Sequence, residues 1–197
     1  MNGRTRWWFT LAVLLGAVPF IALACQGGPA QTGPAPAGPS QPSPGTPGLP
    51  YDFRFALYQG EEVVGKRQAR FSEFFSGKPV LLNFFAGQCP PCRAELPHFR
   101  EASQVYRDRV LFVGVDVGPF LGLGSFEDGR ALLKEFGVTY PAGSPPDGAV
   151  LREYRVTGMP TTIFFTPEGK VFRQWTGILT KGKLESILGD LLKASGG

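Results

Sequence analysis

With 197 residues, 43% of them hydrophobic and 17 of them Phe, the chain has the length and apolar content for a well-packed interior. Its formal charge of +4 includes Arg4 and Arg6 in an apolar leader. Without them 18 basic residues face 16 acidic ones, and no Lys/Arg cluster with interleaved aromatics appears, which argues against nucleic-acid binding. Three cysteines are too few for a disulfide scaffold, and Cys25 stands apart from the pair Cys89 and Cys92.

The leader has a positive start, an almost wholly apolar run over 7–23, and Ala22-Leu23-Ala24 before Cys25. This is the pattern of a secretory signal over 1–24. Three outcomes are open. The segment resembles a lipobox with Ala22 where Leu is usual, so Cys25 can become an acylated first residue. Ordinary cleavage after Ala24 would release the domain. An uncleaved anchor is the third, with Pro19 arguing mildly against it. All three place the domain outside the cytoplasm, and lipidation at Cys25 on the outer face of a bacterial cytoplasmic membrane is the expectation taken forward.

Residues 25–50 contain no charge and no apolar period, and Pro recurs throughout. Such a stretch cannot bury enough surface to offset chain entropy and reads as a semi-stiff linker. Fully extended, it would reach up to about 75 Å.

The domain is expected over 51–197, roughly 145 residues, a size that supports a real core. A first strand is placed at 53–58, a turn at Gln59-Gly60 and a short helix at 71–75 ended by Gly77. The unbroken apolar run Val80–Phe85 suits a central strand covered on both faces. Cys89-Pro90-Pro91-Cys92 follows at once, then a helix over 92–106 and a strand over 110–116. The glycine-rich stretch 117–124 lacks the spacing of a phosphate-binding loop and reads as a flexible surface loop. Ser125 and Asp128 form a capping-box start for a helix running to Phe136, with Gly137 as its stop. A short helical stretch over 149–154 precedes strands over 161–166 and 171–176, joined by Pro167-Glu168-Gly169-Lys170. Thr180 caps a last helix carrying Leu184, Ile187, Leu188, Leu191 and Leu192. The order implies an α/β fold, a mixed sheet covered by helices on both faces.

Three motifs together, the strand–CPPC–helix, Gly158-Met159-Pro160-Thr161-Thr162 and the Pro167–Lys170 turn, resemble the thioredoxin superfamily. More narrowly they resemble the TlpA/ResA/CcmG group of extracytoplasmic thiol–disulfide oxidoreductases, over roughly 51–192. The resemblance implies a thioredoxin fold with an added N-terminal strand region, Cys89 as attacking and Cys92 as resolving cysteine, and a cis bond before Pro160 beside the dithiol. It matches Pro97 to the family's helix-kinking proline and Glu95 to an acid placed near the thiols. Two positions depart. Gln88 stands where Trp is usual, and Asn83 stands where thioredoxins proper carry a buried Asp, although Asn83 agrees with the extracytoplasmic group.

Physical chemistry argues independently for reactivity at Cys89. At the N-terminus of a helix, with Pro90 acceptable at the first helical position, orphan N–H groups and the helix dipole favour its thiolate. Cys92 is one turn further in and more shielded. Glu95 shares a stripe with Cys92, Phe99, Ala102 and Tyr106, so it is either a desolvated acid that moves protons for Cys92 or an exposed first-turn Glu favoured by the dipole. Substrate contacts are expected from Gln88, Pro90, Pro91 and the backbone of Met159, which a cis Pro160 would open to an extended segment. His98 is read as a surface residue, and Arg93, Arg100 and Arg107 as a solvated stripe. With two thiols and no nearby histidine, no closed zinc site is available.

The expected activity is disulfide exchange in extracytoplasmic proteins by a tethered, monomeric enzyme without a cofactor, fed by a membrane thiol carrier. The resemblance favours a reductant with a link to cytochrome c maturation. An oxidant or isomerase, a Cu(I)-handling module and a permanent stabilising disulfide are the competing readings.

Overall fold

The computed structural model describes residues 48–196. The signal segment 1–24, Cys25 and the linker up to residue 47 lie outside the described residues. Seven strands form one sheet: β1 (Arg54–Gln59), β2 (Gln68–Arg70), β3 (Val80–Phe85), β4 (Leu111–Asp116), β5 (Ala142–Ser144), β6 (Thr161–Phe165) and β7 (Val171–Thr176). Their spatial order is β2-β1-β5-β4-β3-β6-β7. The helices are α1 (Pro90–Val105), α2 (Gly118–Leu121), α3 (Phe126–Glu135), α4 (Ala149–Glu153) and α5 (Lys181–Ala194). Among the described residues no helix is long and apolar enough to cross a membrane.

β3, β4 and β5 run parallel, while β6, β7, β1 and β2 join antiparallel. The units β3–α1–β4 and β4–α3–β5 step the same way across the sheet, so right-handed crossovers put α1 and α3 on one face. There Leu81, Phe85 and Phe112 pack against Leu96 and Phe99 of α1, Leu132 and Leu133 of α3, and Leu184, Ile187, Leu188 and Leu191 of α5. The opposite face buries Phe53, Phe55, Phe71, Phe74, Leu82, Phe84, Val113, Val115 and Phe165 with Val150 and Tyr154 from the α4 region. β3 is therefore apolar at every position but Asn83, because both of its faces are covered.

Local signals act as expected where they are strong. β3 matches the apolar run, and α3 begins with both halves of its capping box, Asp128 N–H donating to Ser125 Oγ at 3.2 Å and Ser125 N–H to Asp128 Oδ2 at 2.7 Å. Gly137, at φ 63°, ends it. Thr180 Oγ1 accepts from Lys183 N–H at 3.4 Å to start α5. The stretch 71–75 is a single 3₁₀ turn, Phe71–Phe74.

Two strands escaped the sequence reading. β2 and β5 have three residues each, too few to show a period, and exist through pairing with β1 and β4. The stretch 117–124 is a correction: it is not a flexible surface loop. Val117 N–H donates to Phe85 O at 3.0 Å, Leu123 N–H to Gly118 O at 2.9 Å and Gln88 N–H to Leu123 O at 2.8 Å, binding the segment to the end of β3. Gly118 and Gly124 permit close approach, with Leu123 O 3.0 Å and Gln88 Cγ 3.1 Å from where a Cβ would stand.

Gly129 of α3 shows the same principle. A Cβ added there would lie 2.0 Å from Asp116 Oδ2. Gly→Ala in an open helix stabilises by about 1 kcal/mol, but here the methyl meets a buried carboxylate held by two hydrogen bonds. Gly129→Ala is expected to destabilise by about 1–3 kcal/mol in urea unfolding; a gain in stability would mean α3 shifts freely off the sheet.

Candidate active site

The chain leaves β3 at Phe85, turns through Ala86-Gly87-Gln88 and enters α1 with Cys89 as N-cap. Pro90 and Pro91 occupy the first helical positions, where missing N–H groups cost nothing. Cys92 N–H donates to Cys89 Sγ at 3.3 Å, and the two sulfurs are joined in a disulfide. Cys89 is 2% exposed and Cys92 fully buried, so Cys89 is the more exposed residue of the pair by a narrow margin. Gly87 lets this turn rest on the start of α3, since a Cβ there would lie 2.4 Å from the Asp128 carbonyl carbon.

Glu95 is completely buried, which excludes the exposed first-turn alternative. Leu179 N–H donates to its Oε2 at 3.0 Å and Asn83 Nδ2 to its Oε1 at 2.9 Å. Burial pushes its pKa up to about 7, with the two donors opposing the shift. At neutral pH this acid is poised between its two forms, which suits proton transfer one helical turn from Cys92. Asn83 also donates to Thr162 Oγ1 at 3.1 Å, while its Oδ1 is buried without a partner. The residue that departs from the buried Asp of thioredoxins proper thus holds the acid on the neighbouring helix.

The Met159–Pro160 bond is cis, as the resemblance implied. Pro160 is buried and Met159 half-buried. Gly177 N–H donates to Pro160 O at 2.8 Å, two residues before Leu179 reaches Glu95. The short loop after β7 therefore ties the proline segment and the acid together, a contact across 84 residues with no local sequence signal.

Gln88 is exposed and its Nε2 donates to Asp128 Oδ2 at 3.2 Å, so its side chain also braces the turn against α3. Pro90 is exposed and Pro91 half-buried beside the disulfide. His98 is half-buried on α1. Arg93 is not simply solvated: it pairs with Glu135 and lies over the Phe136 ring, joining α1 to α3. Asp116, fully buried at the end of β4, was not singled out from sequence; its place at the carboxyl end of a parallel strand was the available signal.

The thioredoxin-like domain family matches residues 76–192. The thiol–disulfide oxidoreductase ResA of Oceanobacillus iheyensis is 33% identical over 140 residues, 70% of this chain and 69% of that protein. ResA of Bacillus subtilis is 33% identical over 135 residues, 68% of this chain and 70% of that protein. Among solved structures, the thiol:disulfide interchange protein DsbE of Chlorobium tepidum is 26% identical, with a TM-score of 0.60 over 74% of this chain and 96% of that one. The exposed lipoprotein thioredoxin of Streptococcus pneumoniae strain TIGR4 is 29% identical, with a TM-score of 0.57 over 71% and 99%. With the strand order, the helix-capping cysteine pair and these relatives in agreement, the chain belongs to the thioredoxin superfamily, among its ResA-like thiol–disulfide oxidoreductases.

Proposed function

We propose that this oxidoreductase works outside the cytoplasm, tethered through Cys25, as a reductant of disulfides in partner proteins. The observation that carries the chemistry is the Cys89–Cys92 pair at the start of α1 with the buried acid Glu95 three residues on. In the reduced enzyme the Cys89 thiolate attacks a substrate disulfide. A mixed disulfide forms and the first substrate sulfur leaves as thiolate. Glu95 accepts the Cys92 proton, the Cys92 thiolate attacks Cys89 Sγ, and the second substrate sulfur leaves. Two electrons have then passed to the substrate, and the enzyme holds its own disulfide. A membrane thiol carrier returns the two electrons.

A buried carboxylate one helical turn from Cys92 disfavours additional negative charge, so the thiolate form is not strongly stabilised; this supports a reductant over a strong oxidant. The leader sequence supports export and anchoring, and a similar pneumococcal protein is an exposed lipoprotein. The family resemblance supports cytochrome c maturation as the setting, with Met159, Gln88, Pro90 and Pro91 bordering the substrate.

The test is capture in cells of the full chain carrying Cys92→Ser. The expected result is a thiol-sensitive mixed disulfide through Cys89 to an exported cysteine-containing protein, and for the unaltered protein a potential nearer to about −270 mV than to about −120 mV. Absence of any trapped partner while Cys89 remains reactive would overturn the exchange reading, and a potential near the upper figure would reverse the direction.

A further inference from the structure

Glu95 has a counterpart. Asp116 ends β4 beside Phe85 in the parallel register, on the same face of the sheet as Asn83, and is fully buried. Its partners are neutral donors: Tyr58 Oη donates to Oδ2 at 3.1 Å and Gly118 N–H to Oδ1 at 2.9 Å. From α3, Gly129 closes over Oδ2, while the negative charge of Asp128 raises the pKa of Asp116 and the positive charge of Arg130 lowers it. Arg130 lies over the Tyr58 ring at 4.4 Å. From β5, Ser144 Oγ donates to the Asp116 carbonyl at 2.8 Å. Burial outweighs these donors and raises its pKa to about 6.

A buried carboxylate without a close cation costs stability, so its surroundings bear on its role. A Cβ placed on Gly118 would lie 3.1 Å from Asp116 Oδ1 and 3.2 Å from Ala86 Cβ, so the acid and the dithiol turn meet at that glycine. Ala86 O in turn accepts from Cys89 N–H at 3.2 Å. A second route leads the same way: Gly118 O accepts from Leu123 N–H, and Leu123 O accepts from Gln88 N–H, one residue before Cys89. The carboxylate thus underlies both sides of the turn that carries the attacking sulfur.

We infer that Asp116 is a second positioning acid of the dithiol, anchoring the Gly118–Leu123 buttress and opposing, through its buried negative charge, the formation of the Cys89 thiolate. This rests on the exchange reading for its purpose, but its measurement does not. Asp116→Asn keeps the shape and an acceptor for Gly118 N–H while removing the charge.

The test follows iodoacetamide alkylation of the Cys89 peptide against pH in the reduced full chain, in a Cys92→Ser background, with mass spectrometry separating Cys89 from Cys25. The parent should show a break in the logarithmic rate plot near pH 6 from Asp116, distinct from the one that Glu95 gives near pH 7 and that Asp116→Asn leaves in place. Asp116→Asn should remove the break and lower the Cys89 pKa by about half a unit, as expected for a charge acting through protein. Tyr58→Phe, which deletes one donor to the carboxylate, should move the break to higher pH. A folded Asp116→Asn protein with the parent profile would overturn the inference. If that variant does not fold, an unmoved break in Tyr58→Phe overturns it instead. A chain that alkylates as described yet fails to reduce protein disulfides would refute the proposed function while leaving this coupling intact.

Discussion

Cys89→Ser is expected to lower disulfide-exchange activity by on the order of a thousandfold or more in an insulin-reduction assay, because a hydroxyl at the head of α1 is not appreciably ionised and cannot replace the thiolate. Cys92→Ser should behave differently. Cys89 remains able to attack, so about one equivalent of substrate disulfide is consumed before the mixed disulfide accumulates unresolved. Stability separates this from a structural role. Closing so short a loop constrains the unfolded chain by only about 2 kcal/mol. Both variants should therefore melt near the reduced unaltered protein while differing from it greatly in turnover. If instead activity persists in Cys89→Ser and the melting temperature collapses, the pair is a structural staple.

Glu95→Gln carries the second large effect. Loss of the proton acceptor is expected to slow resolution by Cys92 by on the order of a hundredfold and to remove the inflection near pH 7 from the rate profile. The variant should fold. Leu179 N–H can still donate to the Gln carbonyl, and the Gln amide can donate to Asn83 Oδ1, now without a partner, if the Asn83 amide turns over. Stability against pH supplies an independent check. The folded pKa of about 7 lies above the ordinary 4.5, so the folded state holds the proton more tightly than the unfolded one. Below pH 4.5 both states are protonated and the group contributes nothing. As pH rises to about 7 the unfolded state is progressively favoured, and above that the full cost remains, on the order of 3 kcal/mol. Asp116 adds a loss of the same sign between its ordinary 3.8 and about 6, so the informative quantity is the unaltered protein minus the variant in urea unfolding at pH 4.5 and 8. That difference should move in favour of Glu95→Gln as pH rises; a constant difference would show that Glu95 ionises normally.

Much of this molecule is legible in one dimension. The run Val80–Phe85, the Ser125–Asp128 box, the Thr180 cap, the Pro167–Lys170 turn and the Cys-Pro-Pro-Cys entry to a helix each report a local geometry, and each appears at its place. The stripe on α1 leaves Glu95 between a desolvated acid and an exposed one, and its burial in the structure decides for the first. Other features have no local signature. β2 and β5 exist because neighbours pair with them. The stretch 117–124 is ordered by backbone bonds to the end of β3 and the turn beyond it. Glu95 receives Leu179 N–H from 84 residues away, and Asp116 receives Tyr58 from 58.

The sequence by itself determined the dithiol, the element that presents it and the class of chemistry it performs, because helix caps, strand periods and turn residues act over a few positions along the chain. Only the tertiary structure decided that Glu95 and Asp116 are both fully buried, and burial raises the pKa of each. Desolvation depends on what closes over a carboxylate, and part of that cover is distant in sequence: Leu179 reaches Glu95 from 84 residues away and Tyr58 reaches Asp116 from 58.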